Sequence, residues 1–304
     1  MSKNALVTGS SGFLGRHLVP YLESRGTEVT ALAGRAACDL TDRSSLASFD
    51  HSGYDEIYHL AAWTKAGDFA LHHPAEQWTI NQLINTNVLW YWREREPQAT
   101  LITFGTSCAY DPAMALHEDN YMTGEPDSGL YTYAMTKRML FQGVRAFHQQ
   151  YGMNYSYLIP STLYGPDFDR GDSHFIFDLV RKIVRGKLRD EPVVLWGDGS
   201  QIRELIHVRD AVQLIDLIST SRPNELFNLG TGRGVSIIDF AAIVCQIVGY
   251  DPHLIKYDRN KYVGVREKVL NTERLLAATS FPFSDLEEGI EEVVSDYRTR
   301  FEGS

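Results

Sequence analysis

Cysteine is scarce. The 304 residues hold three, Cys38, Cys108 and Cys245, spaced neither as a disulfide framework nor as a thiolate metal site. Such usage fits a reducing compartment, so the expected location is the cytoplasm. Positive charge is also short. Against 39 Asp and Glu there are 29 Lys and Arg, a formal charge of −10 that offers no footprint for nucleic acid or an anionic membrane surface. No apolar stretch approaches the roughly 18 residues of a membrane span. The opening residues lack the basic-then-apolar pattern of a secretory signal. Internal repeats and low-complexity tracts are missing, which argues against a solenoid. What is left is an ordinary globular composition, with a length suited to one large α/β unit or two domains sharing an interface.

The stretch Val7-Thr8-Gly9-Ser10-Ser11-Gly12-Phe13-Leu14-Gly15 organises the chain. Ala5-Leu6-Val7 leads into it as a strand, and a helix is predicted from Phe13 to Glu23. Strand, glycine turn and helix together make a pyrophosphate cradle. Gly9 permits the tight turn, Gly12 admits the phosphates to the backbone, and Gly15 lets helix and strand approach. The helix N-terminus adds N–H donors and a positive dipole end. A second strand, Thr27 to Leu32, ends in Ala33-Gly34-Arg35. NAD-binding folds place a carboxylate there to hold the ribose 2′-hydroxyl. An arginine without a carboxylate favours the 2′-phosphate of NADP(H) over NAD(H). Asp39-Leu40 follows so soon that the usual second helix must be short or missing.

A third strand, Tyr54 to Ala62, ends in Leu60, Ala61 and Ala62, small enough at its close for a dinucleotide to lie on the sheet edge. His59 within it reads first as a satisfied histidine. His72-His73 before Pro74 read as a solvated loop, and no metal site is expected. A helix over Trp78–Trp92, a strand over Ala99–Gly105, a helix over Tyr131–Gln150 and a strand over Tyr155–Ile159 complete an alternating pattern. That alternation predicts an α/β fold with a doubly wound parallel sheet. The texture changes after Pro166. The expected division is a dinucleotide-binding domain over 1–166, with 203–228 returning to it, and a smaller α/β substrate domain over 167–202 and 229–304.

Carbonyl reduction needs a proton donor beside the carbon that receives hydride. Tyr133 and Lys137 stand four apart, on one face of the predicted helix. An ammonium there is expected to lower the tyrosine pKa and to hold the cofactor ribose. Tyr257 and Lys261 share the spacing but lie in a loop-rich segment with no Ser/Thr strand end before them. Tyr133 has one: Thr106, after the fourth strand, can hydrogen-bond the substrate oxygen.

These residues resemble the extended short-chain dehydrogenase/reductases that act on nucleotide sugars, and most of all the GDP-L-fucose synthases. The resemblance is carried by Thr8–Gly15, Gly105-Thr106-Ser107-Cys108-Ala109-Tyr110, Tyr133–Lys137 and Leu163-Tyr164-Gly165-Pro166. It continues through Ser173-His174, Trp196-Gly197-Asp198-Gly199, Arg203 to Val208, and Asn228-Leu229-Gly230-Thr231-Gly232. It implies NADPH-dependent reduction of a nucleotide-linked 4-keto-6-deoxy sugar by Thr106, Tyr133 and Lys137. Cys108 and His174 would carry C3/C5 epimerisation, one as base and one as acid. It also implies a homodimer. It puts Asp39-Leu40 beside the adenine and Pro160 at the cofactor, with Ser11, Phe13 and Leu14 in the phosphate loop. Ser107, Thr162 and Lys182 fall to the substrate. Arg203 and Arg266 suit its diphosphate through bidentate guanidinium geometry, and Trp196 suits its base.

Four positions depart from that pattern. Thr106 stands where serine is usual, Thr162 where Asn is, Asn271 where Asp is, and Ser11 where an arginine reads the cofactor phosphate. Two rival readings follow: an NAD-dependent 4-epimerase or dehydratase, and a non-enzymatic nucleotide sensor on the same fold.

Overall fold

The structure is a computed structural model and describes residues 2–49, 53–65, 69–169, 171, 174–261 and 263–302. Ser173, half of the Ser-His pair, lies outside them. In chain order, β1 (Asn4–Thr8) leads into α1 (Phe13–Ser24), β2 (Glu28–Leu32), α2 (Gly34–Ala37) and β3 (Glu56–His59). Then come α3 (Phe69–His72), α4 (Pro74–Arg95), β4 (Thr100–Phe104), α5 (Tyr131–Tyr151), β5 (Tyr155–Pro160) and β6 (Thr162–Tyr164). The second half holds α6 (Phe175–Arg189), β7 (Val194–Trp196), β8 (Ile202–His207), α7 (Val208–Ser221), β9 (Glu225–Leu229) and β10 (Gly234–Ser236). It closes with α8 (Ile237–Val248), β11 (Lys256–Asp258), β12 (Glu267–Lys268), α9 (Glu273–Ala278) and α10 (Leu286–Tyr297).

Six parallel strands form the main sheet in the order β2-β1-β3-β4-β5-β9. Helices cover both faces, so its strands are apolar on both sides rather than alternating with polar residues. Leu6 of β1 joins the cluster that holds Val88 and Trp92 of α4 and Leu140 and Val144 of α5. Its neighbours Ala5 and Val7 point the other way, to Leu18 and Leu22 of α1 and Ile215 of α7. The chain runs outward from β1 to β2 and then in the opposite direction through β3. Between β1 and β3 the two loops part, which opens the crevice where such sheets bind dinucleotides. As anticipated, the second helix is short: α2 has four residues.

A separate cluster gathers α6, α8 and α10 around Phe168, Phe177, Phe240 and Tyr297. Gly152 and Gly249, in left-handed conformations with φ of 70° and 72°, end α5 and α8. The Ser236 hydroxyl accepts from the Asp239 N–H at the start of α8, as its cap position required.

Within 203–228, α7 packs on the main sheet and β9 extends it through Leu229. β8 stands between the two clusters, in a small sheet with β6, β10 and β12. Its residues Leu205 and Ile206 therefore face two different clusters. Part of the expected substrate domain also packs on the first domain, through Leu275 of α9 and Phe281 and Phe283 beyond it.

A Cβ on Gly15 would stand 2.6 Å from the Ser10 Cα and from the Gly9 carbonyl oxygen. These are backbone atoms that no rotamer change can move. Gly15→Val should therefore destabilise the fold by about 1–3 kcal/mol by overpacking, read by urea unfolding. A variant with wild-type stability would show that α1 does not need this approach.

Candidate active site

The crevice starts with three glycines. Gly9 has φ +69°, and a Cβ on it would meet the Ala61 nitrogen at 2.7 Å. That close pass draws the end of β3 against the turn after β1. The Ala61 N–H donates to Thr8 Oγ1 at 3.3 Å and the Leu60 N–H to the Thr8 carbonyl at 3.3 Å. Gly12 begins α1 with no side-chain cap, which leaves that helix end to an anion. The turn is braced from below by Arg16, which the sequence reading passed over. Its guanidinium donates to the Ser11 carbonyl at 2.7 Å and to the carboxylate and carbonyl of Asp167 at 3.2 and 2.7 Å. Phe13 turns toward the other lobe and meets Phe177 edge-on at 5.6 Å, while Leu14 packs against the sheet cluster.

At the end of β2, Arg35 is exposed and pairs with Asp39 at 2.7 Å. Asp39 is held in turn by Thr41, through N–H and hydroxyl donors at 3.0 and 2.6 Å. Leu40 is buried in the core cluster, and its carbonyl accepts from Asn87 at 2.9 Å. Pro160 closes β5 on the same edge of the sheet as Leu60, Ala61 and Ala62. The cradle fits a dinucleotide: the N-terminus of α1 at Gly12 carries no side-chain cap, and Gly9 and Gly15 keep the turn packed on backbone with no side chain between.

His59, just below that edge, is 2 % exposed. Its Nδ1 lies 2.9 Å from Thr8 Oγ1 and its Nε2 3.1 Å from Asn85 Oδ1. Burial pushes its pKa down to about 4, partly offset by the Asn85 bond, with the charge of Lys137 adding to the drop. It is a neutral spacer, as first read.

Thr106 follows β4, and its hydroxyl accepts from the Cys108 N–H at 3.3 Å. A side-chain hydrogen bond joins it to Tyr133. Desolvation pushes the Tyr133 hydroxyl well above its ordinary pKa, Cys108 and Tyr121 push the same way, and the Thr106 bond opposes them. The expectation that Lys137 lowers this pKa is therefore corrected: burial dominates, and the phenol stays protonated as an acid must. Lys137 is itself buried, which pulls its pKa down to about 8. It remains an ammonium at neutral pH.

Two tyrosines that sequence reasoning missed hold this centre. Tyr157 of β5 donates to the Lys137 carbonyl at 2.7 Å and meets the Tyr121 hydroxyl at 3.2 Å. Tyr121 reaches the Thr106 backbone. Gly105 makes room, since a Cβ there would stand 2.7 Å from the Tyr121 hydroxyl and from Tyr157.

A cavity of about 800 Å³ opens beside these residues. Ser107, Cys108, Lys182, Trp196 and Arg203, all expected at the substrate, line it. Trp196 is 46 % exposed rather than packed in the core, with Lys182 and Lys261 over its ring at 5.8 and 5.7 Å. Arg203 is aimed by the carbonyls of Ile202 and Val263, each at 2.8 Å. Lys268 also lines the cavity, and its Nζ donates to Cys108 Sγ at 3.5 Å.

Three residues expected at the substrate are not brought to the cavity wall, nor is Asn271, one of the departures. Thr162 pairs with Leu205 in the small sheet. Arg266 is exposed, and its carbonyl accepts from the Ile202 N–H at 2.8 Å. His174 is exposed at the N-terminus of α6, with its ring centroid 6.4 Å from that of Phe177. Asn271 caps the turn before α9 by accepting from the Glu273 N–H at 3.0 Å. Among the described residues no cluster of His, Cys, Asp and Glu could hold a metal ion, and no helix is long and apolar enough to cross a membrane.

A glycine cradle at the sheet's switch point, with a Thr-Tyr-Lys centre beside it, defines an extended short-chain dehydrogenase/reductase. A profile of the NAD dependent epimerase/dehydratase family matches residues 5–230, and the chain belongs to that family. It is 30% identical over 295 residues to a GDP-L-fucose synthase of Sinorhizobium fredii, covering 95% of this chain and 93% of the relative. It is 29% identical over 323 residues to a dTDP-4-dehydro-6-deoxy-D-allose reductase of Streptomyces bikiniensis, covering 97% and 96%. In fold it matches a GDP-mannoheptose C4 reductase from Campylobacter jejuni solved with NADP bound, at a TM-score of 0.85 and 20% identity, over 98% of each chain.

His59 makes stability depend on pH. Its folded value of about 4 lies below the unfolded 6.5, so the unfolded chain takes up the proton first as pH falls. Stability from this group is complete above pH 6.5 and is lost toward pH 4. Between pH 6.5 and 5 the loss should be about 2 kcal/mol. Urea unfolding across that range should give a steeper pH slope for the wild type than for His59→Gln, and equal slopes would contradict the assignment.

Proposed function

We propose that the chain is an NADPH-dependent reductase of a nucleotide-linked 4-keto-6-deoxy sugar. The carrying observation is the joint placement of Thr106, Tyr133 and Lys137 between the dinucleotide crevice and a cavity that presents Trp196 and Arg203. NADPH, when bound, supplies the hydride. Tyr133 gives its hydroxyl proton to the 4-keto oxygen, Thr106 hydrogen-bonds that oxygen, and the Lys137 ammonium holds the cofactor ribose. Trp196 offers a face for the base, with Lys182 and Lys261 beside it, and Arg203 takes the diphosphate. The relatives carry both GDP- and dTDP-linked names, so both are test substrates.

NADP(H) is supported by Arg35, by the missing carboxylate after β2, and by the NADP in the solved Campylobacter relative. Free cysteines suit a cytoplasmic enzyme. Leu83 and Trp90, exposed seven residues apart on one face of α4, support the expected homodimer.

Cys108 favours a second activity, epimerisation at C3 or C5, because it faces the same cavity beside the carbonyl-binding hydroxyls. His174 supports it less directly, standing outside the cavity wall.

The test is NADPH consumption over GDP-, dTDP-, CDP- and UDP-linked 4-keto sugars in D2O, with product NMR. One of them should be reduced, with deuterium at C3 or C5. Tyr133→Phe should lower kcat by at least about 100-fold while NADPH still binds. Near-normal turnover in that variant would remove Tyr133 as the acid, and a product without solvent deuterium would remove the epimerase half.

Arg35→Ala should weaken NADPH binding by about tenfold and leave NADH binding nearly unchanged, as loss of one exposed phosphate contact implies. Equal losses for the two cofactors, measured by titration, would show that Arg35 does not read the 2′-phosphate.

A further inference from the structure

Lys268 is 160 residues from Cys108 in the chain, yet its Nζ donates to the cysteine sulfur at 3.5 Å and both line the cavity. The lysine's place is fixed by two neighbours. Lys268 pairs in register with Arg203 of β8, and the Leu270 N–H donates to the buried Glu204 carboxyl at 2.8 Å. The sulfur is fixed from its own side by the Cys108 N–H on Thr106 Oγ1. Tyr133 of α5 and Tyr121 of the preceding loop also lie within electrostatic reach of the sulfur. Asp127, Arg203 and Glu267 line the same cavity. Cys38 and Cys245 are buried in the core clusters.

We propose that Lys268 is a positioning residue for Cys108. Its ammonium holds the sulfur toward the cavity and stabilises the negative charge that the sulfur bears as a base. This rests on the epimerisation reading. In that step the Cys108 thiolate takes the proton from a carbon activated by the 4-ketone. The C–H electron pair becomes the enolate double bond, and the carbonyl pair moves to the oxygen held by Thr106 and Tyr133. A solvent-derived proton delivered to the opposite face inverts the centre, and the thiol returns its proton to solvent. Lys268 keeps its protons throughout.

The experiment compares wild type, Lys268→Met and Lys268→Arg, each checked for NADPH binding. Iodoacetamide labelling at pH 7, resolved by peptide mass spectrometry, reads Cys108 without any turnover. Lys268→Met should label Cys108 about tenfold more slowly, Lys268→Arg should restore the rate, and Cys38 and Cys245 should not respond. Deuterium uptake at C3 or C5 should fall by the same order in Lys268→Met, with KM for the nucleotide sugar held within about twofold. Equal Cys108 labelling in all three chains overturns the proposal. So does an effect confined to KM, which would make Lys268 a phosphate ligand. A wild type that takes up no deuterium, while its labelling still depends on Lys268, removes the epimerisation reading and leaves the pairing standing. If Lys268→Met fails to fold, Lys268→Gln carries the same comparison.

Discussion

One chain of hydroxyl contacts holds the reactive centre in place. The Lys137 carbonyl accepts from Tyr157, Tyr157 meets Tyr121, and Tyr121 reaches the Thr106 backbone. These links join a helix, a central strand and the end of its neighbour. They add to the direct bond between Thr106 and Tyr133 and to Arg138 of α5, which donates to the Ala109 carbonyl at 2.9 Å. Tyr121 and Tyr157 are fully buried and Tyr133 is half-buried, and burial pushes each above its ordinary pKa. They therefore stay neutral, and the network carries hydrogen bonds rather than charges. A neutral network in a dry site is cheap to maintain only when its members are paired. Gly105 is what lets it close, because any side chain there would strike two of its members.

The two lobes are also tied through the phosphate turn. Arg16 links the Ser11 carbonyl to Asp167, and Arg300 reaches the Asp167 carboxylate at 3.3 Å and the Phe168 carbonyl at 2.8 Å. Asp167 holds φ +62°, an uncommon conformation for a residue with a side chain. Its N–H donates to Asp296 at 3.0 Å, which offsets that strain. The surface ion pairs themselves add little energy. What they supply is registry: the turn that fits a pyrophosphate is fastened to the C-terminal helix of the other lobe.

What the sequence made legible is local. The glycine spacing, the Tyr133–Lys137 interval and the Ser236 cap each act within a few residues, so their geometry follows from chain connectivity. The parallel sheet was legible because its strands are long apolar runs between helices. The small sheet was not. β6, β10 and β12 have three, three and two residues, too few for any hydrophobic period, and their pairing is set by partners far along the chain. Arg203 to His207 was expected with the first domain, and its place in the small sheet is set by those same remote partners. Lys268 and Tyr121 were hidden for the same reason: each acts through a neighbour remote in sequence. His174 differs: the motif that marked it is local, but its position relative to the cavity is set by contacts remote in sequence.

Glu204 shows how the small sheet serves the site. It lies 2 % exposed between β10 and β12 and accepts from the N–H groups of Gly232 and Leu270, each at 2.8 Å. Burial pushes its pKa up to about 7, while those N–H bonds hold it down. A carboxylate suits two donors. A carboxylic acid would turn one acceptor into a donor facing the same N–H groups. The ionised form is thus the one that fits the loops after β9 and β12, and protonation below neutrality works against them. Arg203, beside it on β8, and Lys268, paired across from Arg203, both enter the cavity from this frame. The cations that line the cavity are therefore aimed by a carboxylate that does not line it, which is why the small sheet can be so short and still place them.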